Sequence, residues 1–242
     1  CVRRIYASTM NEDALTYRLQ RGLDQQDEQM ALLVQRVSGS YRKHYFFPEV
    51  AGVGLSYNPF VWKQGMDPHA GMLRIVFGLG TRAVNRVEND YPRIVALDAP
   101  LVKPHAGIAD ARRFSQHDVD LLNLEDNRFH SLSLQQVIHE GIEARLDLIG
   151  TRDTEASDRM RAAGRSGQDV WILTFDELLS KTDFVTILSR MLRNLEDVYQ
   201  YPVDIEFTAN FNAEGRLQVN LLQCRPFQTK GQSLRIEIPE KI

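Results

Sequence analysis

The sequence predicts an α+β (α/β) fold, mostly antiparallel strands with flanking helices. Three observations carry this reading. Four short apolar runs between residues 30 and 100 are punctuated by glycine and proline. One long amphipathic helix spans 175–199. Two alternating runs flank a turn within "VDIEFTANFNAEGRLQVNLLQCRP", residues 203–226. This mixture excludes helical bundles and β-sandwiches.

Taken in order, "TMNEDALTYRLQRGLDQQ" (9–26) has helical spacing, with Ala14, Tyr17 and Leu19 partly inward and Gly22 as its stop. "MALLVQRV" (30–37) reads as a short buried strand. "EVAGVGLSYNP" (49–59) reads as a strand closed by an Asn-Pro turn. "MLRIVFGLG" (72–80) is a strand running into a glycine turn, and "YPRIVALDAP" (91–100) is a strand framed by prolines. From 101 to about 170 the chain is polar and weakly patterned. Helices are expected near Leu132–Leu148 and Thr154–Ala163, and a flexible connection at "AAGRSGQD". Thr174 and Glu177 have capping-box spacing ahead of the 175–199 helix. That helix can divide at Lys181-Thr182, and Tyr201-Pro202 ends it.

Composition narrows the function. Of 242 residues, 43% are apolar and 25% charged, with a net charge of −3, so no basic surface for nucleic acid is indicated. No apolar run approaches the roughly 20 residues of a membrane helix. Cys1 and Cys224 make neither a disulfide framework nor a metal site, and a reducing cytoplasmic setting is expected.

The 203–226 stretch carries the chemistry. Asn210, Asn212 and Glu214-Gly215 supply turn residues. A turn centred between Glu214 and Gly215 pairs Glu206 with Gln223 and Asp204 with Arg225. Alternate positions share a face, so the four polar groups converge on one side, opposed Cβ atoms about 4.5–5.5 Å apart. Val203, Ile205, Phe207, Leu222 and Cys224 are expected on the core side. A carboxylate and an amide oxygen suit Mg²⁺, and a guanidinium grips phosphate in two places. Asp204 can aim Arg225 or approach the metal. The same spacing also fits an Asp204–Arg225 ion pair and a Glu206–Gln223 hydrogen bond on a wet surface, and spacing alone does not choose.

Several stretches in order decide further. "DIEF" followed by "LLQCRP" resembles the signature closing the ATP-grasp nucleotide-binding domain of the phosphoenolpyruvate synthase and pyruvate phosphate dikinase family. "VRRIYASTMNEDALTYRLQRGL", "MALLVQRV", "AGVGLSYNP", "FGLGTRAV" and "LEDVYQYPVDIEF" are similar to that family's other motifs, in the same order. The resemblance covers about 1–100 and 175–228. It implies an ATP-grasp-like fold and ATP-dependent phosphotransfer, from Mg-ATP to a histidine on a swivelling domain and on to pyruvate bound by a third domain. By position it implies Glu206 and Gln223 as metal ligands, Arg225 on the terminal phosphates with Asp204 in support, and Gln35 with Val34 and Arg36 at the adenine.

The implied organisation is a partial domain over 1–230. Residues 1–40 would lie on the adenine side, 41–100 would form strands, 101–174 a family-variable insert, and 175–228 the helix and hairpin. A tail or linker would occupy 231–242. The chain opens on Cys1 and resembles the C-terminal part of such a domain, so the catalytic lysine and phosphate-facing arginine are expected ahead of it, and the chain alone is expected to be inactive. Two departures stand out. Thr81 occupies a position where a carboxylate is usual, and Leu55-Ser56 replaces Phe-Thr. None of the six histidines sits in the family's phosphohistidine loop. Two other readings stay open: a non-catalytic module binding nucleotide or a partner protein, with Thr81 as one sign of it, or, since the resemblance extends to relatives that phosphorylate glucans or antibiotics, a relative phosphorylating another acceptor.

Overall fold

A computed structural model describes residues 2–20, 22–85, 87–164 and 169–227. The chain forms two units, Cys1–Val37 and Ser38–Ile242.

The first unit holds α1 (Val2–Ser8) and α2 (Glu12–Gln20). The helix expected over 9–26 is therefore shorter at both ends. Thr9 and Met10 close α1 through amides bonded to Tyr6 O and Ala7 O, and Gly22 lies past the end of α2. Arg18 knots the segment that follows. Its Nη1 pairs with Glu28 at 3.0 Å and its Nη2 donates to the Leu23 and Gln26 carbonyls. Residues 30–37 do not form the expected buried strand: they are irregular, with Leu33 and Val34 exposed. None of the described residues of this unit is a strand, so the run has no ladder partner within it.

Among its described residues the second unit contains three sheets, and every strand pairing in them is antiparallel. Its strands are β1 (Ser40–Arg42), β2 (Tyr45–Phe47), β3 (Val50–Leu55), β4 (Met72–Val76), β5 (Arg93–Ala96), β6 (Asp118–Asn123), β7 (Arg128–Ser133), β8 (Gly150–Asp153), β9 (Val170–Leu173), β10 (Val203–Phe211) and β11 (Leu217–Pro226). The sheet orders are β11-β10-β3-β4-β5, β1-β2-β6-β7 and β8-β9. Around them lie α3 (Thr81–Val84), α4 (Ile108–Arg113), α5 (Leu134–His139), α6 (Leu146–Ile149), α7 (Thr154–Ala162), α8 (Asp176–Lys181) and α9 (Phe184–Tyr199).

The expected strands near 50, 72 and 93 are β3, β4 and β5, central to the five-stranded sheet. One face of that sheet is the core. Leu73, Ile75, Val95, Ile205 and Phe207 are fully buried there, in one cluster with Phe184, Leu188 and Leu192 of α9. The close approach requires Gly52. A Cβ there would lie 2.4 Å from Arg74 O and 3.0 Å from the Phe207 ring.

The long helix divides near the expected point. Thr182 donates its hydroxyl to Leu178 O at 2.7 Å and accepts from the Phe184 amide at 3.2 Å, ending α8 and opening α9. The expected capping box does not form. α8 begins after Phe175, which is left-handed (φ 58°) and fully buried, while the Thr174 hydroxyl pairs with Thr151 at 2.7 Å. Burying the phenyl ring outweighs the local cap.

The stretch 101–174 contains more sheet than its composition suggests. The helix expected over 132–148 is the end of β7, then α5 and α6 on either side of a turn. α7 lies where a helix was expected. Half of the connection read at 162–169, residues 165–168, lies outside the described residues. Asp153 caps α7 by accepting from the Ala156 amide at 3.0 Å, and its carboxylate is clamped by Arg112.

Gly78 joins the two larger sheets. It bridges in parallel to Asp120, and Leu79 N donates to Asp120 O at 2.8 Å. Its φ is +90°, and a Cβ would sit 2.6 Å from Asp120 O. Gly78→Ala is expected to lower unfolding free energy by about 2 kcal/mol or more in urea titration, from left-handed strain plus the clash. A second expectation concerns acid. Arg112 holds the Asp153 carboxyl below its ordinary value of about 3.9. A depressed folded pKa gives stability that is present above the unfolded value and is lost as pH falls through the folded one. Arg112→Met should therefore move the acid-unfolding midpoint, followed by circular dichroism, to higher pH.

Candidate functional site: a carboxylate face on a bulged hairpin

β10 and β11 pair as the spacing predicts at the two functional rungs, Asp204 with Arg225 and Glu206 with Gln223. The turn itself is shifted. Asn212 Oδ1 accepts from the Glu214 and Arg216 amides at 3.1 and 2.8 Å, and the rungs from Phe207–Leu221 to Phe211–Leu217 are symmetric about Glu214. A β-bulge between Glu206 and Phe207 absorbs the difference, with Leu222 as the extra residue. Without it the register would oppose Glu206 to Leu222, and Gln223 and Arg225 would turn to the core face. The bulge also corrects one expectation. Leu222 lines the cavity beside Glu206 instead of joining the core, whereas Cys224 packs against the core as expected.

Alternate residues of β10 form a graded polar row. Asn210 is committed to structure: its Oδ1 accepts from the Glu49 amide at 3.1 Å and its Nδ2 donates to Ser38 Oγ at 3.2 Å. Thr208 is 5% exposed, yet among the described residues its hydroxyl has no hydrogen-bond partner. Glu206 is half-buried and, among the described residues, makes no hydrogen bond or ion pair. The Glu206–Gln223 hydrogen bond of the wet-surface alternative is thus absent among them. Asp204 accepts from both Nε (3.0 Å) and Nη2 (2.8 Å) of Arg225 on its single oxygen Oδ2. Its buried Oδ1 has no partner among the described residues.

This asymmetric pairing has a chemical consequence. Asp204 is mostly buried and Arg225 mostly exposed, so the ion pair fixes the guanidinium from beneath. Two of its five N–H donors are taken, and the Nη1–Nη2 edge remains to meet a planar pair of oxygens. The Cys224 thiol, between these residues in sequence, is pushed above its ordinary pKa by burial and by Asp204, against a lowering hydrogen bond from Tyr199.

Beside Glu206 and Thr208 lies a cavity of about 410 Å³, bordered by Gly80, Thr81 and Val84 of α3 and by Phe129 and Leu222. Thr81, at the position where a carboxylate is usual, donates its hydroxyl to Asp120, which also accepts from Arg82 Nε at 3.0 Å. Ser56 keeps its hydroxyl in use as well: it is buried and accepts from the Val203 amide at 2.9 Å, tying β3 to the start of β10. Gln35, Val34 and Arg36 lie in the irregular end of the first unit. Thr208 is the residue that sequence reasoning missed. The signal was present, since it is the next alternate position after Asp204 and Glu206.

Among the described residues no group of three or more His, Cys, Asp or Glu is placed to hold a metal, and no helix is long and apolar enough to cross a membrane. What the hairpin offers instead is hard oxygens beside a cationic fork, on an antiparallel sheet flanked by helices. This is the architecture of an ATP-grasp-like nucleotide-binding domain. Comparison with protein families matches residues 1–242 to pyruvate phosphate dikinase, AMP/ATP-binding domain, the stretch 101–174 included, and the chain belongs to that family. It is an ATP-binding domain of a kinase-type phosphotransferase family. Comparison with individually curated proteins gives no match.

The unpartnered hydroxyl makes a simple test. Thr208→Val keeps the shape and removes a buried group that nothing satisfies, so unfolding free energy should hold or rise by about 1 kcal/mol in urea titration. A clear loss would show that the hydroxyl has a structural partner.

Proposed function

We propose that this chain is the nucleotide-holding part of a phosphoenolpyruvate synthase-type phosphotransferase of the cytoplasm. It takes a phosphoryl group from Mg-ATP for a histidine on a separate swivelling domain, from which the group passes to pyruvate on a third domain. The observation that carries the reading is the open Glu206 carboxylate beside the unpartnered Asp204 Oδ1, on the same face as a guanidinium with one free edge.

The donor set fits magnesium, which favours one or two protein oxygens and otherwise water and phosphate. Glu206 and Gln223 would hold it. Magnesium, when bound, neutralises phosphate charge and withdraws electron density from the phosphorus. The chain's own residues do the positioning. Arg225, aimed by Asp204, grips two oxygens of the terminal phosphates and stabilises charge developing there. The rigid hairpin keeps these groups on one surface, so little reorganisation accompanies transfer. Gln35 with Val34 and Arg36 would face the adenine.

In the protein carrying this domain, Glu206→Gln and Arg225→Met should each lower phosphohistidine formation from ATP by about 10²-fold or more. Glu206→Gln should leave the melting temperature unchanged, whereas Arg225→Met strips the mostly buried Asp204 of its partner and should lower it. Rapid-quench labelling checks this. Undiminished labelling in both variants would overturn the assignment.

A further inference from the structure

A second cavity lies beside β5, the edge strand opposite β11 in the five-stranded sheet. It measures about 160 Å³ and is walled by Tyr91, Ile94, Phe114 and Ile172. An apolar cavity of about 150 Å³ accommodates benzene, so this one seats a single six-membered ring. Its aromatic wall is ordered: Tyr91 meets Phe114 edge-on at 5.4 Å, and His105 lies 5.5 Å from the same ring.

The polar part of the lining is one-signed. Arg93 and Lys103 are both there and no carboxylate is. Arg93 is buried and fixed by the carbonyls of Thr174, Ile94 and Pro100, at 3.2, 2.6 and 3.0 Å. Lys103 donates to Asp176 Oδ2 at 2.7 Å, which leaves two of its three N–H groups. Behind the lining, Asp176 is shared between the two cations, and its Oδ1 lies 3.9 Å from Arg93 without a hydrogen bond. His105 makes no hydrogen bond among the described residues. Its pKa is held below the ordinary value by burial and by Arg93, with Asp110 of α4 opposing and Lys103 adding to the shift. A ring-sized apolar space thus ends in an ammonium with spare donors, an imidazole and a guanidinium, with no carboxylate in the lining itself.

We propose that this cavity binds a small aromatic carboxylate, its ring against Phe114, Ile94 and Ile172 and its carboxylate against Lys103 and His105. The cavity shares no lining residue with the one beside Glu206, so the inference stands apart from the nucleotide reading.

Benzoate is the probe, with benzamide as its neutral isostere, titrated into the 242-residue chain by saturation-transfer NMR. Saturable benzoate binding is expected, with benzamide about tenfold weaker and Lys103→Met costing about the same factor. Ala111→Phe, which fills the cavity from α4, should abolish binding. Lys103→Met leaves the apolar wall intact and keeps the test valid should the larger side chain unfold the protein. Benzoate should also move the His105 titration to higher pH, since an adjacent anion favours the imidazolium. Glu206→Gln should change none of these values. Absence of saturation, equal binding of benzamide, or indifference to Lys103→Met would each overturn the proposal.

Discussion

One extra residue in a β-ladder governs the site. The hairpin turn centred on Glu214 would, continued without interruption, bring Leu222 opposite Glu206 and send Gln223 and Arg225 into the apolar core. The bulge at Leu222 resets the count before the functional rungs. Burying Gln223 and Arg225 against Ile205 and Phe207 would cost far more than a local irregularity in hydrogen bonding. The apolar face and the polar face therefore enforce the bulge together. The placement of Gln223 and Arg225 on the same wall as Asp204 and Glu206 follows from that adjustment.

The row on β10 also separates structural polarity from functional polarity. Asn210 is buried and spends its amide on Glu49 and Ser38, closing the base of the sheet. Two residues on, Thr208 is equally buried and has no partner among the described residues. Next, Glu206 is open, and Asp204 is half-satisfied by Arg225. Buried polar groups are normally paired, so the unsatisfied Thr208 hydroxyl beside the cavity and the unpartnered Asp204 Oδ1 make this row the candidate site. The rigidity behind that row comes from α9, whose Phe184, Leu188 and Leu192 pack on the opposite face.

The sequence was most legible where periodicity and punctuation coincide. β3, β4 and β5 are short apolar runs bounded by glycine or proline, and α9 is a sustained amphipathic stripe. It was least legible where a local rule met a tertiary demand. Thr174 and Glu177 have capping spacing, but Phe175 between them is drawn into the core and takes a left-handed backbone. Residues 30–37 have strand composition without a ladder partner in their own unit. β6 and β7 escaped notice because Asp118 and Asp120 give the run a polar composition, although Val119 and Leu121 alternate with them into the core.

By itself the sequence determined that Asp204 shares a face with Glu206, and Gln223 with Arg225, because side-chain alternation is a covalent consequence of the extended backbone; that both pairs lie on the same face was decided by the bulge. It also determined the family, because motif order is written along the chain. Only the tertiary structure decided which oxygens stay unsatisfied, that Arg225 rests on one oxygen of Asp204, and that Thr208 and Leu222 belong to the cavity. Those outcomes depend on a bulge, on the covering helix α3 and on burial. All three arise from contacts between segments far apart in sequence, and no local pattern encodes them.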